Sequence, residues 1–244
     1  MKILRKVLMV ALVLVMSVAF VACFRYPDSS TSSSSGGGSS HPGGGSTGGG
    51  GFVNNTGAIA SGTYIVQQAT MFGITYSRAQ MIERNQNFIN AMNAAMNILR
   101  QEILADPAQG QFIWHLALIG AGLEAGLIHP AVAGNFFSHG FWWVLSVSGV
   151  TEAQLFDALV IMATEEILGD QIIVRGNQIF VEIMDENTGN INVVASNYSV
   201  DSANRIIFTN QAITDHFEDS TVTHTGGRII IQDAMGFTFF YGRV

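Results

Sequence analysis

The stretch Gln171-Ile172-Ile173-Val174-Arg175-Gly176-Asn177-Gln178-Ile179-Phe180-Val181-Glu182-Ile183-Met184 sets two β-branched runs on either side of Gly176-Asn177. Glycine and asparagine accept the positive φ that a two-residue hairpin turn demands. Ile179, Val181 and Ile183 recur at every second position, so they share one face of a strand. The pattern predicts an antiparallel hairpin, and similar units follow it to the end of the chain. Asp185 to Asn190 reads as a turn, 191–198 as a strand, and Asp201 to Asn204 as a turn into Arg205-Ile206-Ile207-Phe208-Thr209. Residues 210–220 read as a looser acidic loop. The runs 221–225 and 228–232 meet at Gly226-Gly227, and 237–243 is a last strand with Phe237, Phe239 and Tyr241 on one face.

Working upstream, residues 77–169 change period from two to between three and four. Ser77 with Gln80 forms a capping box, and Met81, Phe88, Met92, Met96, Leu99 and Ile103 follow at helical spacing as far as Asp106-Pro107. This predicts one helix. A second is expected over 111–128, ended by His129-Pro130, and a third over 131–147, ended near Gly149. A fourth opens at the capping box of Thr151 and Gln154 and runs through Leu155, Leu159, Met162 and Ile167 to a glycine stop at Gly169. Ahead of the helices, residues 58–75 read as a strand containing Gly62-Thr63-Tyr64-Ile65-Val66. The expected fold class is α+β: an antiparallel β-meander of about eight strands, closed as a small barrel or packed as a sandwich, with an insertion of about four helices after the first strand.

The N-terminus has a different logic. Lys2, Arg5 and Lys6 precede an apolar run from Val7 to Phe20 broken only by Ser17, and Ala22 stands before Cys23, the single cysteine. The run is about 14 residues long, short of the roughly 20 of a membrane span, and its charged start and small-residue end fit an export signal. Phe20-Val21-Ala22-Cys23 resembles the lipobox of bacterial lipoproteins. The resemblance implies cleavage after residue 22 and a diacylglycerol on the Cys23 thiol. Two acyl chains anchor stably where one is marginal. Residues 23–53 then form a tether, because 29–51 is almost wholly Ser and Gly; such a coil spans about 25 Å r.m.s.. His41 within it is expected to be solvated. The folded domain is expected over 54–244, outside the cytoplasm, on the outer face of the cell membrane or on an outer membrane.

Export would remove three of the 11 cations, leaving eight arginines against 18 acidic residues, a formal charge of −10. No basic stripe exists to neutralise phosphates, which excludes nucleic acid as a partner and leaves the lipid as the membrane bond.

Ser61-Gly62-Thr63-Tyr64, Tyr198-Ser199-Val200-Asp201 before Arg205-Ile206-Ile207-Phe208-Thr209, and Gly227-Arg228-Ile229-Ile230-Ile231 to Tyr241-Gly242-Arg243-Val244 resemble the lipocalin-like β-barrel domains of bacterial surface lipoproteins. That resemblance implies a barrel able to hold one small apolar ligand.

Residues 107–150 carry one charged side chain, Glu124, and seven large aromatic ones, Trp114, Phe136, Phe137, Phe141, Trp142 and Trp143 among them. They read either as a greasy hairpin for a lipid, apolar partner or membrane, or as a buried layer on the sheet. Gly122 and Gly126 fit a small-xxx-small contact face. Trp114, Phe137, Phe141 and Trp142, with Phe239 and Tyr241 of the last strand, are the candidate ligand contacts.

No motif names a reaction. The helical two-histidine zinc signature and the G-x-S-x-G elbow are absent. His115, His129, His139, His216 and His224 are scattered, Asp215-His216 with Glu218-Asp219 reads as a solvated face, and 185–190 lacks the spacing of a calcium loop. Adjacent Glu165 and Glu166 point in different directions on a helix. The expectation is a non-catalytic lipoprotein without metal or cofactor, binding a small apolar ligand or an envelope component. The alternatives are a solid interaction module and an envelope hydrolase, which would need a cleft where a carboxylate meets a histidine.

Overall fold

The computed structural model describes residues 58–184 and 191–244. The signal, Cys23, the tether and the 185–190 turn lie outside them. Nine strands are described: β1 Gly62–Met71, β2 Ile74–Ser77, β3 Gln171–Arg175, β4 Gln178–Met184, β5 Ile191–Val200, β6 Ile206–Phe208, β7 Ser220–Thr225, β8 Arg228–Asp233 and β9 Thr238–Arg243. Every pairing is antiparallel, and the order is β6-β5-β4-β3-β1-β9-β8-β7, with β2 paired to β1 alone. β1 therefore joins the first half of the meander to the last, pairing with β3 on one side and β9 on the other. The two edges, β6 and β7, approach through an Arg205–Thr223 bridge and a 2.8 Å bond from the His224 N–H to the Asn204 carbonyl. The ring of eight is nearly closed, which removes most of the exposed edge.

The Gly176-Asn177 hairpin stands as its sequence predicts, pairing Arg175 with Gln178. Ile179 and Val181 are buried and Ile183 half-buried, and Phe237, Phe239 and Tyr241 are buried together. β1 shows a more instructive pattern. Its inward residues are Tyr64 and Val66, then Ala69 and Met71, a switch from even to odd positions. The pairing with β9 slips between Val66 and Gln68, so Gln67 is an extra residue that resets the phase, as a β-bulge does. A Cβ on Gly242 would stand 2.7 Å from Gln67 Cγ; glycine is what lets the bulge lie flat against β9.

Eight helices are described: α1 Arg78–Ile82, α2 Gln86–Leu104, α3 Gly110–Glu124, α4 Pro130–Ala133, α5 Phe136–His139, α6 Phe141–Ser148, α7 Glu152–Gly169 and α8 Gln211–His216. Four expectations need correction. The helix opening at Ser77 breaks after one turn, because Arg84 takes φ 51° and Asn85 then caps α2 through a bond from the Asn87 N–H. The expected third helix is three short ones, divided at Gly134-Asn135 and at Gly140, whose φ is 81°. The expected acidic loop contains α8, capped by Asn210 and anchored by buried Ile213. The expected first strand turns at Phe72-Gly73, both at positive φ, and returns as β2.

The glycine pair in α3 also divides. Gly122 is a contact residue: a Cβ there would lie 2.6 Å from Leu155 and 2.8 Å from Ile128. Gly126 lies beyond the helix at φ 68°, with its N–H bonded to the Leu123 carbonyl and the Leu127 N–H to the Gly122 carbonyl, a Schellman stop. α7 stops on Asp170, which turns extended at ψ 132°, rather than on Gly169.

α3 is buried around most of its girth, from Trp114 through Gly122, as expected for the centre of a layer. α2 and α7 flank it, and α1 and α7 lie against β1. The charge-poor segment thus supplies one internal helix, α3, while Phe112, Leu127, Phe137, Trp142 and Val147 of the same segment stay exposed. Among the described residues no single helix is long and apolar enough to cross a membrane; α6 and α7 would be so only as a pair, and they bend by 94° at their junction.

Candidate functional site

The barrel interior is occupied by its own side chains. Tyr64, Val66, Ile172, Val174, Ile179, Val181, Ile229, Ile231, Phe239 and Tyr241 are each less than 8 % exposed. Where Phe239 and Tyr241 meet Asp170 and the end of α8, about 30 Å³ remains, room for a water molecule or two. Tyr241 donates to Asp170 Oδ2 at 2.5 Å, and burial followed by the Asp170 charge raises its phenol well above the usual value. Phe239 and Tyr241 thus close the core at this end.

A space of ligand size lies instead in the helical layer. A cleft of about 400 Å³ opens where the end of α2, the turn into α3, the start of α6 and the first turn of α7 converge. Pockets for small molecules commonly enclose about 300–1,000 Å³. Arg100 and Leu104 come from α2, Asp106 and Pro107 from the turn, Trp114 and His115 from α3, Trp142 from α6 and Glu152 from α7.

Each piece is fixed locally. Asp106 accepts from the N–H groups of Ala108 and Gln109 and holds the turn. Thr151 and Gln154 close a capping box that starts α7, placing Glu152 in its first turn, where the helix dipole favours a carboxylate. Arg100 Nη2 reaches Glu152 Oε1 at 3.2 Å, with its guanidinium 5.5 Å from the centre of the Trp114 ring. The His115 ring lies flat on Phe141, 3.9 Å between centres and 6° between planes, and Trp142 stands edge-on to it at 6.1 Å. Burial, assisted by Arg100 and opposed by Glu152, lowers the His115 pKa and keeps the ring neutral near pH 7. Trp142 is 64 % exposed while Trp114 is 1 % exposed: one is a plate at the rim, the other the floor. Trp114 Nε1 and Arg100 Nε are both closed off from solvent without a hydrogen-bond partner, a combination that costs stability unless something supplies an acceptor.

The six aromatic candidates therefore fall in three places. Trp114, Phe141 and Trp142 meet at the cleft, with Phe141 behind His115. Phe137, half-exposed, packs on Phe112 and Phe136. Phe239 and Tyr241 belong to the barrel core. Sequence reasoning missed Arg100 and Glu152, which are 52 positions apart and carry no signal of pairing, and it gave His115 no role. A second depression, about 530 Å³, is walled by Leu123, Leu127, Ile128, Val132 and Val147. It has no charged side chain, and its one histidine, His129, caps α4.

Among the described residues no three His, Cys, Asp or Glu side chains gather as a metal site requires. No known family, curated protein or solved structure matches the chain.

Proposed function

We propose that this is an extracytoplasmic lipoprotein, anchored through diacylated Cys23, related to the lipocalin-like surface lipoproteins, and serving as a non-catalytic binding protein for a small ligand. In this reading the barrel is a solid scaffold, and the ligand enters the aromatic cleft of the helical layer. The observation that carries it is the convergence of Trp114, His115, Trp142, Arg100 and Glu152 around about 400 Å³, against about 30 Å³ at the mouth of the barrel. The polar rim shifts the expected ligand from purely apolar to amphipathic.

A hydrolase needs a carboxylate beside a histidine, and this cleft contains both. Binding is the better reading because Glu152 is held by Arg100, His115 is stacked against Phe141, and no Ser, Thr or Cys lines the cleft. The filled barrel favours a second reading, a solid module that works through protein contacts.

Two experiments test the proposal. Intact mass and fractionation of wild type and Cys23→Ser should show a diacylated, membrane-bound chain and an unmodified, released one; a free thiol on a released wild type refutes the anchor. Solvent extracts of the purified protein and a small-molecule thermal-shift screen should give a ligand whose effect disappears in Trp142→Ala. Ligands that bind Trp142→Ala unchanged, or none at all, refute the cleft.

A further inference from the structure

The cleft specifies a chemical class. Its two unsatisfied polar atoms, Trp114 Nε1 and Arg100 Nε, are both N–H donors, so the missing partner is an acceptor. Arg100 covers Trp114 and is held to Glu152 by one 3.2 Å contact, with the two side chains 40 % and 32 % exposed. A pair tied by a single bond at a half-open surface adds little to stability, so a ligand that partners both groups can replace it, and Trp114 on the cleft floor lies beside them. A group that accepts from Arg100 Nη2 and donates to Glu152 Oε1 can take the place of that single contact. A pair of neighbouring hydroxyls does both, since each is donor and acceptor. It replaces one charge-assisted bond by two and leaves neither charge bare.

Charge narrows the class further. Asp106 and Glu152 outnumber Arg100 at the rim, and the chain's net charge is negative, so an anion is repelled. A cation is repelled by the Arg100 guanidinium, which lines the cleft. The open face of Trp142, standing edge-on to His115, offers a flat apolar platform beside these polar groups. A six-membered sugar ring fits all of this: its C–H face packs on an indole, and its hydroxyls lie at the edge.

Resting on the cleft reading above, we propose that the ligand is an uncharged pyranose sugar, with its ring on Trp142 and a vicinal diol between Arg100 and Glu152. The test uses the full-length protein, in detergent if it is lipidated, and follows its indole fluorescence. Three closely related sugars are titrated: N-acetylglucosamine, which is neutral, glucosamine, cationic at neutral pH, and glucuronate, anionic. The neutral sugar should bind at least about tenfold more tightly than either charged one, and Trp142→Ala should abolish its binding without lowering the melting temperature. Trp114→Phe, which keeps the ring but removes the donor, should weaken it. Equal or tighter binding of a charged sugar overturns the uncharged assignment while leaving the cleft reading in place. No binding of any sugar overturns the sugar assignment, and the library screen with Trp142→Ala then decides the cleft separately. Binding that survives Trp142→Ala overturns both. Comparing N-acetylglucosamine with its β-1,4-linked tetramer identifies the source: tighter binding of the tetramer means a polysaccharide, equal binding a free sugar.

Discussion

Removing one hydroxyl from the barrel core should produce a defect that shrinks and then inverts with pH. Tyr241 is fully buried, and its hydroxyl donates to Asp170 Oδ2 at 2.5 Å. Asp170 ends α7 and precedes β3, so this bond ties the helical layer to the last strand. Tyr241→Phe leaves the carboxylate short of a donor, and hydrogen bonds to charged groups contribute roughly 1.5–3 kcal/mol. A loss of about 2 kcal/mol is expected at pH 7. The phenol in the folded chain is raised well above its ordinary value, first by burial and then by Asp170. The unfolded chain releases that proton near pH 10 while the folded chain holds it. The tyrosine's contribution is therefore whole below about pH 10 and drains away as the pH rises toward the raised value. At pH 11 wild type can give up at most about 1.4 kcal/mol through this group, so the variant's deficit should shrink toward about 0.6 kcal/mol and invert at higher pH. Tyr64 is also raised by burial, but it is present in both proteins and cancels in the difference. Urea unfolding at matched pH values, read by the shift in midpoint at constant slope, measures the effect. A deficit unchanged from pH 7 to 11, or below about 0.5 kcal/mol at pH 7, refutes the reasoning.

Other expectations concern the helical layer. Gly122→Val should cost about 2–3 kcal/mol through overpacking against Leu155 and Ile128, and Leu155→Val should recover part of it. Gly126→Ala should cost only about 1 kcal/mol through its left-handed φ, with no rescue by Leu155→Val. Thr151→Ala should lose about 1 kcal/mol in thermal or urea melts by uncapping α7, and it should weaken cleft ligands by loosening Glu152. Acid should also act here. His115 and His224 both have pKa values lowered, in each case chiefly by burial. Their contribution is present above their usual value of about 6.5 and lost as the pH falls through and below it. Replacing both by Gln should flatten the stability profile between pH 7 and 5, and an unchanged profile contradicts this.

What could be seen in the sequence follows from how local each cause is. The hairpin at Gly176-Asn177 and the capping boxes at Ser77 and Thr151 are encoded within a few residues, and the structure contains all of them. The apolar phase of α2 is equally local. Breaks were harder. Arg84 carries no glycine or proline signal, yet Asn85 caps a new helix beside it. α8 was hidden because its exposed face is acidic and polar and a single buried residue, Ile213, holds it. The β1 bulge was invisible, since the reason Gln67 is tolerated is Gly242, 175 positions away. The site followed the same division. Its aromatic members were conspicuous in a stretch with one charge, whereas Arg100 and Glu152 lie on helices that only packing brings together. Phe239 and Tyr241 share a strand face that a hollow barrel would turn toward a ligand, and sequence gives no measure of how full a lumen is.

The way the helices are spliced into the barrel explains why the larger space lies outside it. The helical excursion leaves the sheet after β2 at Ser77 and returns at Asp170. Arg78, at its start, reaches the sheet and its far end, with Nη1 to the Val66 carbonyl of β1 at 2.8 Å and Nη2 to the Leu168 carbonyl at 3.0 Å. Val66 is the residue at which the bulge interrupts pairing with β9, so one guanidinium compensates a gap in the ladder and clamps the excursion closed. With its two ends adjacent, the excursion adds little closure entropy to the barrel, because that cost grows only slowly with loop length. The barrel can then fill its own lumen. The excursion, fixed at its base, has its α2–α3 turn and the α6–α7 junction free to form a surface site. If this is the division of labour, Arg78→Met should lower stability by leaving two carbonyls short of a donor, and cleft affinity should fall with it, since α1 and α7 lose their common anchor to β1. A variant that melts earlier yet binds its ligand with unchanged affinity would show that the cleft does not depend on that splice.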